Sequence, residues 1–109
     1  MRDIKASQIA TLVEHLCIEA CCVLTDDIKT SFKSSLQTEQ SPLGKEVLAT
    51  LIQNAEIAKE ERSPICQDTG MTVVFITMGQ DVHITNGFIE DAINEGVRNG
   101  YKKGYLRMS

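Results

Sequence analysis

An α+β fold is what the sequence predicts: three N-terminal helices, then a short strand pair, then a further helix. Three observations lead there. Apolar residues recur at helical spacing through most of residues 7–61. The pattern then changes at 71–78 to a continuous β-branched and apolar run. Between these stretches stand start and stop residues, among them Thr25, Ser41-Pro42, Pro64 and Gly104.

The first helix is expected over about Ser7 to Leu24, with Ile9, Leu12, Val13, Leu16, Cys17, Ala20 and Leu24 on one buried stripe. Thr25 can cap a second, short helix, with Asp26 and Asp27 in its first turn and Ile28, Phe32 and Leu36 on one face. The polar stretch Gln37–Gln40 ends it. Ser41 followed by Pro42 is a strong start signal for a third helix, a cap and then a proline at the first helical position. Leu43, Val47, Leu48, Leu51, Ile52, Ala55 and Ala58 make its apolar face, and it runs to about Glu61. Pro64 pushes Ser63 out of the helical region and so stops it.

Met71 to Met78 reads as a strand buried on both faces. Gly79-Gln80-Asp81 is a turn, and Val82-His83-Ile84 a short second strand paired with the first like a hairpin. Thr85 or Asn86 is expected to cap the last helix, which turns Phe88, Ile89, Ala92, Ile93, Gly96 and Val97 inward. It ends near Lys103, with Gly104 as its left-handed terminator. A two-stranded sheet is marginal alone, and the closing Gly104–Ser109 completes no element. The chain, residues 1–109, therefore reads as unfinished.

Composition is that of an ordinary globular chain: 42% hydrophobic and 24% charged, with two prolines and no tryptophan in 109 residues. A net charge of −4 leaves no electrostatic footprint for nucleic acid or an anionic membrane. Arg98, Lys102, Lys103 and Arg107 form a small basic cluster that suits a helix C-terminus. No apolar run approaches the roughly 20 residues that span a bilayer, so neither nucleic acid nor membrane is an expected partner. The four cysteines (Cys17, Cys21, Cys22 and Cys66) are a poor disulfide framework. A reducing cytoplasm is the expected compartment. Cys17 and Cys21 share a helix face, so a four-cysteine metal site with Cys66 is conceivable. Core packing is the simpler account, since no Cys-x-x-Cys pair exists.

One stretch stands apart. Pro64-Ile65-Cys66-Gln67-Asp68-Thr69-Gly70 sets a thiol, an amide, a carboxylate and a hydroxyl in a row. It lies in a short loop between a long helix and a strand, where scaffolds present functional side chains. The plain alternative is a turn at Asp68-Thr69-Gly70 with Cys66 as a small buried hydrophobe.

Arg62-Ser63-Pro64-Ile65-Cys66-Gln67-Asp68-Thr69-Gly70 resembles the signature of the class I, iron–sulfur fumarate hydratases and the related L(+)-tartrate dehydratases. Leu16–Ala20, Ser41–Lys45, Asn54–Ala58, Gly79–Ile84 and Gly104–Arg107 are similar to the start of that family's α subunit. The resemblance covers essentially the whole chain. It implies the N-terminal part of a larger α/β subunit, and a hydro-lyase that interconverts malate and fumarate. The alternatives are L(+)-tartrate dehydratase, or a truncated, non-catalytic binding module. It also implies a 4Fe–4S cluster, with Cys66 as one of three cysteine ligands, and an open iron acting as a Lewis acid on the substrate hydroxyl.

On the same resemblance Gln67 binds a carboxylate of a small dicarboxylic acid. Asp68 handles the hydroxyl proton or positions the base, and Thr69 either holds the loop or touches substrate. Arg107 pairs with a substrate carboxylate, a bidentate match. The other two cluster cysteines belong to later parts of the family's subunit, and much of the pocket to a β subunit or C-terminal remainder. The isolated chain is therefore expected to be inactive.

Overall fold

The computed structural model describes residues 1–65 and 71–108. Its elements are β1 (Arg2–Lys5), α1 (Ala6–Cys22), α2 (Asp26–Thr38), α3 (Pro42–Glu61), β2 (Val82–Thr85) and α4 (Ile89–Lys103). The chain divides into two compact units, Met1–Glu19 with Asp68–Ser109, and Ala20–Gln67.

In the first unit, β1 and β2 form a parallel two-stranded sheet with Arg2 opposite Val82, Asp3 opposite His83, Ile4 opposite Ile84 and Lys5 opposite Thr85. The α+β class is as expected, but the strand pairing is not. Residues 71–78 form no strand, and they are exposed: Met71 is 90% accessible and Phe75 93%. The turn at Gly79 closes on itself, Val82 N–H donating to the Gly79 carbonyl at 3.3 Å, and does not fold 71–78 back onto β2. The ladder partner of β2 comes instead from the N-terminus, with Arg2 N–H donating to the Asp81 carbonyl at 2.8 Å.

Below the sheet, α1 and α4 pack through small residues. Ala6, Ala10 and Ala92 form the buried cluster, with Ile9 and Ile84 against it. Ala92, Gly96 and Gly100 repeat every fourth residue on α4 and are all buried. A Cβ on Gly96 would stand 2.5 Å from the Ala10 carbonyl oxygen, and one on Gly100 would be 2.9 Å from that of Glu14. The two backbones meet directly. Lys103 Nζ reaches Glu14 Oε1 at 3.1 Å, so the one buried carboxylate of this interface is ion-paired.

The buried stripe of α1 is therefore Ala6, Ala10, Val13 and Cys17, whereas the expected Leu12 and Leu16 stay exposed. Larger side chains would hold α4 away, so the small ones take the interface.

Both ends of α4 also differ from expectation. Its N-cap is Phe88, without a side-chain cap and largely exposed, rather than Thr85 or Asn86. Asn86 (φ 61°) and Gly87 (φ 148°) are taken up by the left-handed turn out of β2, which asparagine and glycine tolerate. At the C-terminus Gly104 is right-handed, and Tyr105 (φ 54°) supplies the left-handed residue. Gly104 is needed for space: a Cβ there would lie 2.8 Å from Ile18 Cγ1.

By composition, one 18-residue window within 6–38 passes as a membrane span, against the expectation. Yet α1 has 17 residues, includes Glu14 and Glu19, and packs one face against α4.

In the second unit, α2 packs on α3. Ser41 caps α3 as expected, its Oγ accepting from Gly44 N–H at 3.3 Å, with Pro42 in the first turn. Thr25 precedes α2, but its hydroxyl bonds Asp27 Oδ1 rather than a backbone N–H. At about 1.5 Å per residue, α2 covers roughly 20 Å and α3 roughly 30 Å, so one cannot cover the other. Ala55 and Ala58 of α3 are buried while Leu43, Val47 and Leu51 remain exposed, fewer than the full stripe expected.

Candidate functional site

The residues that lead into the signature loop are held firmly within the second unit. α3 ends at Glu61, and Arg62 takes the left-handed conformation at φ 54°, ψ 40°. Arg62 and Ser63 N–H both donate to the Ala58 carbonyl, the latter at 3.2 Å, which satisfies an otherwise open helix terminus. Pro64 prevents any return to helix. Ile65 N–H then donates to the Cys21 carbonyl at 2.8 Å, tying the strand of chain before Cys66 to the end of α1. This anchoring was only partly legible: Pro64 announces the stop, but nothing local announces Cys21 as the partner.

Cys66, Gln67, Asp68 and Thr69 themselves lie outside the described residues. Beyond the loop, the Thr72 and Tyr101 hydroxyls are hydrogen-bonded at 2.8 Å, attaching the exposed run 71–78 to α4. Arg107 is exposed, between the buried Leu106 and the exposed Met108.

The remaining cysteines behave as packing residues. Cys17 and Cys22 are buried, and Cys22 is fully so. Burial pushes the Cys21 thiol up, away from the thiolate a metal needs. Among the described residues no three His, Cys, Asp or Glu side chains converge to hold a metal. These residues therefore do not fit a cluster by themselves.

Two further features were not singled out by motif. In the first unit an open, apolar groove of about 350 Å³ is lined by Ile4, Leu12, Leu16, Phe75, Met78 and Ile93, among others. In the second unit a cleft between α2 and α3 gathers Lys29, Lys33 and Lys59 around Phe32 and Ile52. The i, i+4 spacing of Lys29 and Lys33 was the available signal for the second.

Comparison with known proteins gives the context. The chain is 33% identical over 101 residues to a Methanocaldococcus jannaschii protein provisionally named L(+)-tartrate dehydratase subunit alpha, which covers 92% of this chain and 35% of that one. It is 38% identical over 71 residues to the anaerobic class I fumarate hydratase of Escherichia coli K12, covering 65% of this chain and 13% of that enzyme. It is 27% identical over 84 residues to the E. coli K12 L(+)-tartrate dehydratase subunit alpha, covering 77% and 27% respectively. The chain thus spans about a third or less of each of these relatives. The family model described as fumarate hydratase (Fumerase) matches residues 10–109, so the chain belongs to the fumarate hydratase (Fumerase) family.

Proposed function

We propose that this chain is the N-terminal portion of a class I hydro-lyase α subunit that interconverts malate and fumarate. The observation that carries the reading is the family match through 10–109, which includes the Cys66-Gln67-Asp68 run. In the proposal Cys66 supplies one thiolate to a 4Fe–4S cluster whose other ligands come from polypeptide outside these 109 residues. When bound, the cluster supplies Lewis acidity to the substrate hydroxyl. Gln67 and Arg107 hold carboxylates of a small dicarboxylic acid, and Asp68 holds or moves the hydroxyl proton. Cys17, Cys21 and Cys22 form no disulfide among the described residues, which accords with a cytoplasmic setting.

The partner is a β subunit or the C-terminal remainder. The exposed apolar groove of the first unit supports a role within a larger body, since contiguous apolar surface usually has a partner. L(+)-tartrate as substrate is the second reading, favoured by the two relatives named as tartrate dehydratase α subunits.

The test is anaerobic co-expression with the polypeptide that completes the subunit and with a β subunit. Iron content and turnover of malate and of L(+)-tartrate are then measured. Cys66→Ser is expected to remove iron and activity together, whereas Cys17→Ser leaves both. Iron and turnover that survive Cys66→Ser would overturn the assignment. The 109 residues alone are expected to hydrate no fumarate, and faster turnover of tartrate than malate would select the second reading.

A further inference from the structure

We infer that the cleft between α2 and α3 binds a small organic anion with an apolar body, of the aromatic or branched-chain carboxylate class. It is independent of the signature loop and uses none of its residues. The inner wall is apolar: Ala55 is buried, and Leu24, Phe32 and Ile52 are half-buried. The outer wall is cationic. Lys29 is half-buried and Lys33 and Lys59 are exposed, with Glu56 as the one carboxylate among them. Three ammonium groups against one carboxylate leave a formal +2 at the cleft, in a chain whose net charge is −4.

None of these three lysines is ion-paired among the described residues, where Lys103 is the lysine held by a carboxylate. Like charges in excess of their one counter-charge, Glu56, repel one another, and an anion bound between them relieves that. Lysine serves here as a point charge on a flexible stem, which suits a single carboxylate better than a planar clamp would.

Size and wall chemistry narrow the ligand class. The cleft offers about 190 Å³, somewhat above the roughly 150 Å³ cavity that holds one benzene ring. That is room for a single ring or a branched alkyl group. Inorganic phosphate or a four-carbon dicarboxylate would put polar groups against Phe32 and Ile52 and lose hydration there without replacement. A neutral aromatic would leave the lysines as they are. Only a solute with a charged head and an apolar body satisfies both walls, the common design of small-molecule sites.

Phenylacetate is the probe, titrated into the 109-residue chain and followed by amide chemical shifts. The expected result is saturable shifts confined to Leu24–Lys33 and Ile52–Lys59, at millimolar concentration. Phenylacetamide, which lacks the charge, should bind about tenfold more weakly, and added salt should weaken the acid but not the amide. Lys29→Gln combined with Lys33→Gln should weaken phenylacetate about tenfold with helix content unchanged by circular dichroism, since both side chains project from the α2 surface.

The inference is overturned if phenylacetate shifts no α2–α3 amides, or if acid and amide bind alike. It is overturned equally if malate or phosphate matches phenylacetate, because the apolar wall would then be idle. Binding of an acidic peptide with no effect of phenylacetate would assign the lysines to a protein partner and also refute it. Loss of hydro-lyase activity in the assembled enzyme bears on the loop alone and leaves this result untouched.

Discussion

Gly96 lies so close to Ala10 that a Cβ on the glycine would stand 2.5 Å from the alanine's carbonyl oxygen and 2.7 Å from Val13 Cβ. The nearest atom is backbone and Val13 Cβ is fixed to backbone, so neither can rotate aside as the end of a long side chain would. The spacing between α1 and α4, and with it the seating of the two-stranded sheet, depends on having hydrogen at that position. Gly96→Ala should therefore force the helices apart. Overpacking costs about 1–3 kcal/mol, and roughly 2–3 kcal/mol where the obstacle is backbone, against about 1 kcal/mol gained from helix propensity. A net loss of about 1–2 kcal/mol should lower Tm by roughly 4–16 °C. An unchanged melting curve would mean that the two backbones are not in contact.

Tyr105 makes the opposite case. It is exposed and left-handed at φ 54°, a conformation that costs a side-chain-bearing residue about 1–2 kcal/mol. Glycine removes that cost but loses about 0.5–1 kcal/mol more chain entropy on folding. Tyr105→Gly should stabilise the chain by about 0.5–1 kcal/mol in denaturant titration. A loss of stability would show that the tyrosine ring contributes more than its exposure implies.

At the start of α2, the Thr25 hydroxyl first, and the Ile28 backbone N–H second, hold the Asp27 carboxyl below the usual carboxylate range. A depressed pKa contributes stability above the group's ordinary value, and that contribution is lost as pH falls through the folded one. The first turn of α2 should accordingly loosen in acid. Thr25→Val should move the Asp27 titration, followed by carboxyl-carbon NMR, up toward an ordinary aspartate. No movement would place the cause elsewhere.

Arg107 is exposed, and no carboxylate among the described residues pairs with it. If it meets a substrate carboxylate in the assembled enzyme, Arg107→Ala removes a charged hydrogen bond worth about 1.5–3 kcal/mol. kcat/KM should fall by roughly 10- to 150-fold, and Arg107→Lys should recover little of it, since lysine cannot present the planar fork. Equal activity of the two variants and the parent would remove Arg107 from the pocket.

The parts of this fold that were readable in advance are those decided within one turn of chain. Ser41 accepts from Gly44 three residues on, and Pro64 acts on its immediate neighbour, so the bounds of α3 follow from local chemistry. The pairing of Arg2–Lys5 with Val82–Thr85 joins residues 80 positions apart. No property of either tetrapeptide selects the other, and the more β-prone run at 71–78 drew the expectation instead. For the candidate site, the run Cys66-Gln67-Asp68 was visible as unusual chemistry. The Ile65–Cys21 hydrogen bond that anchors its approach was not.

By itself, then, the sequence determined the four helices, the stops between them and the family signature, because propensity, capping and residue identity are local quantities. Only the tertiary structure decided which faces are buried. Leu12 and Leu16 are as apolar as any core residue, yet Ala6, Ala10, Val13 and Cys17 face α4. The glycines of α4 bring it within contact of the α1 backbone, and at that distance small side chains fit and leucines do not.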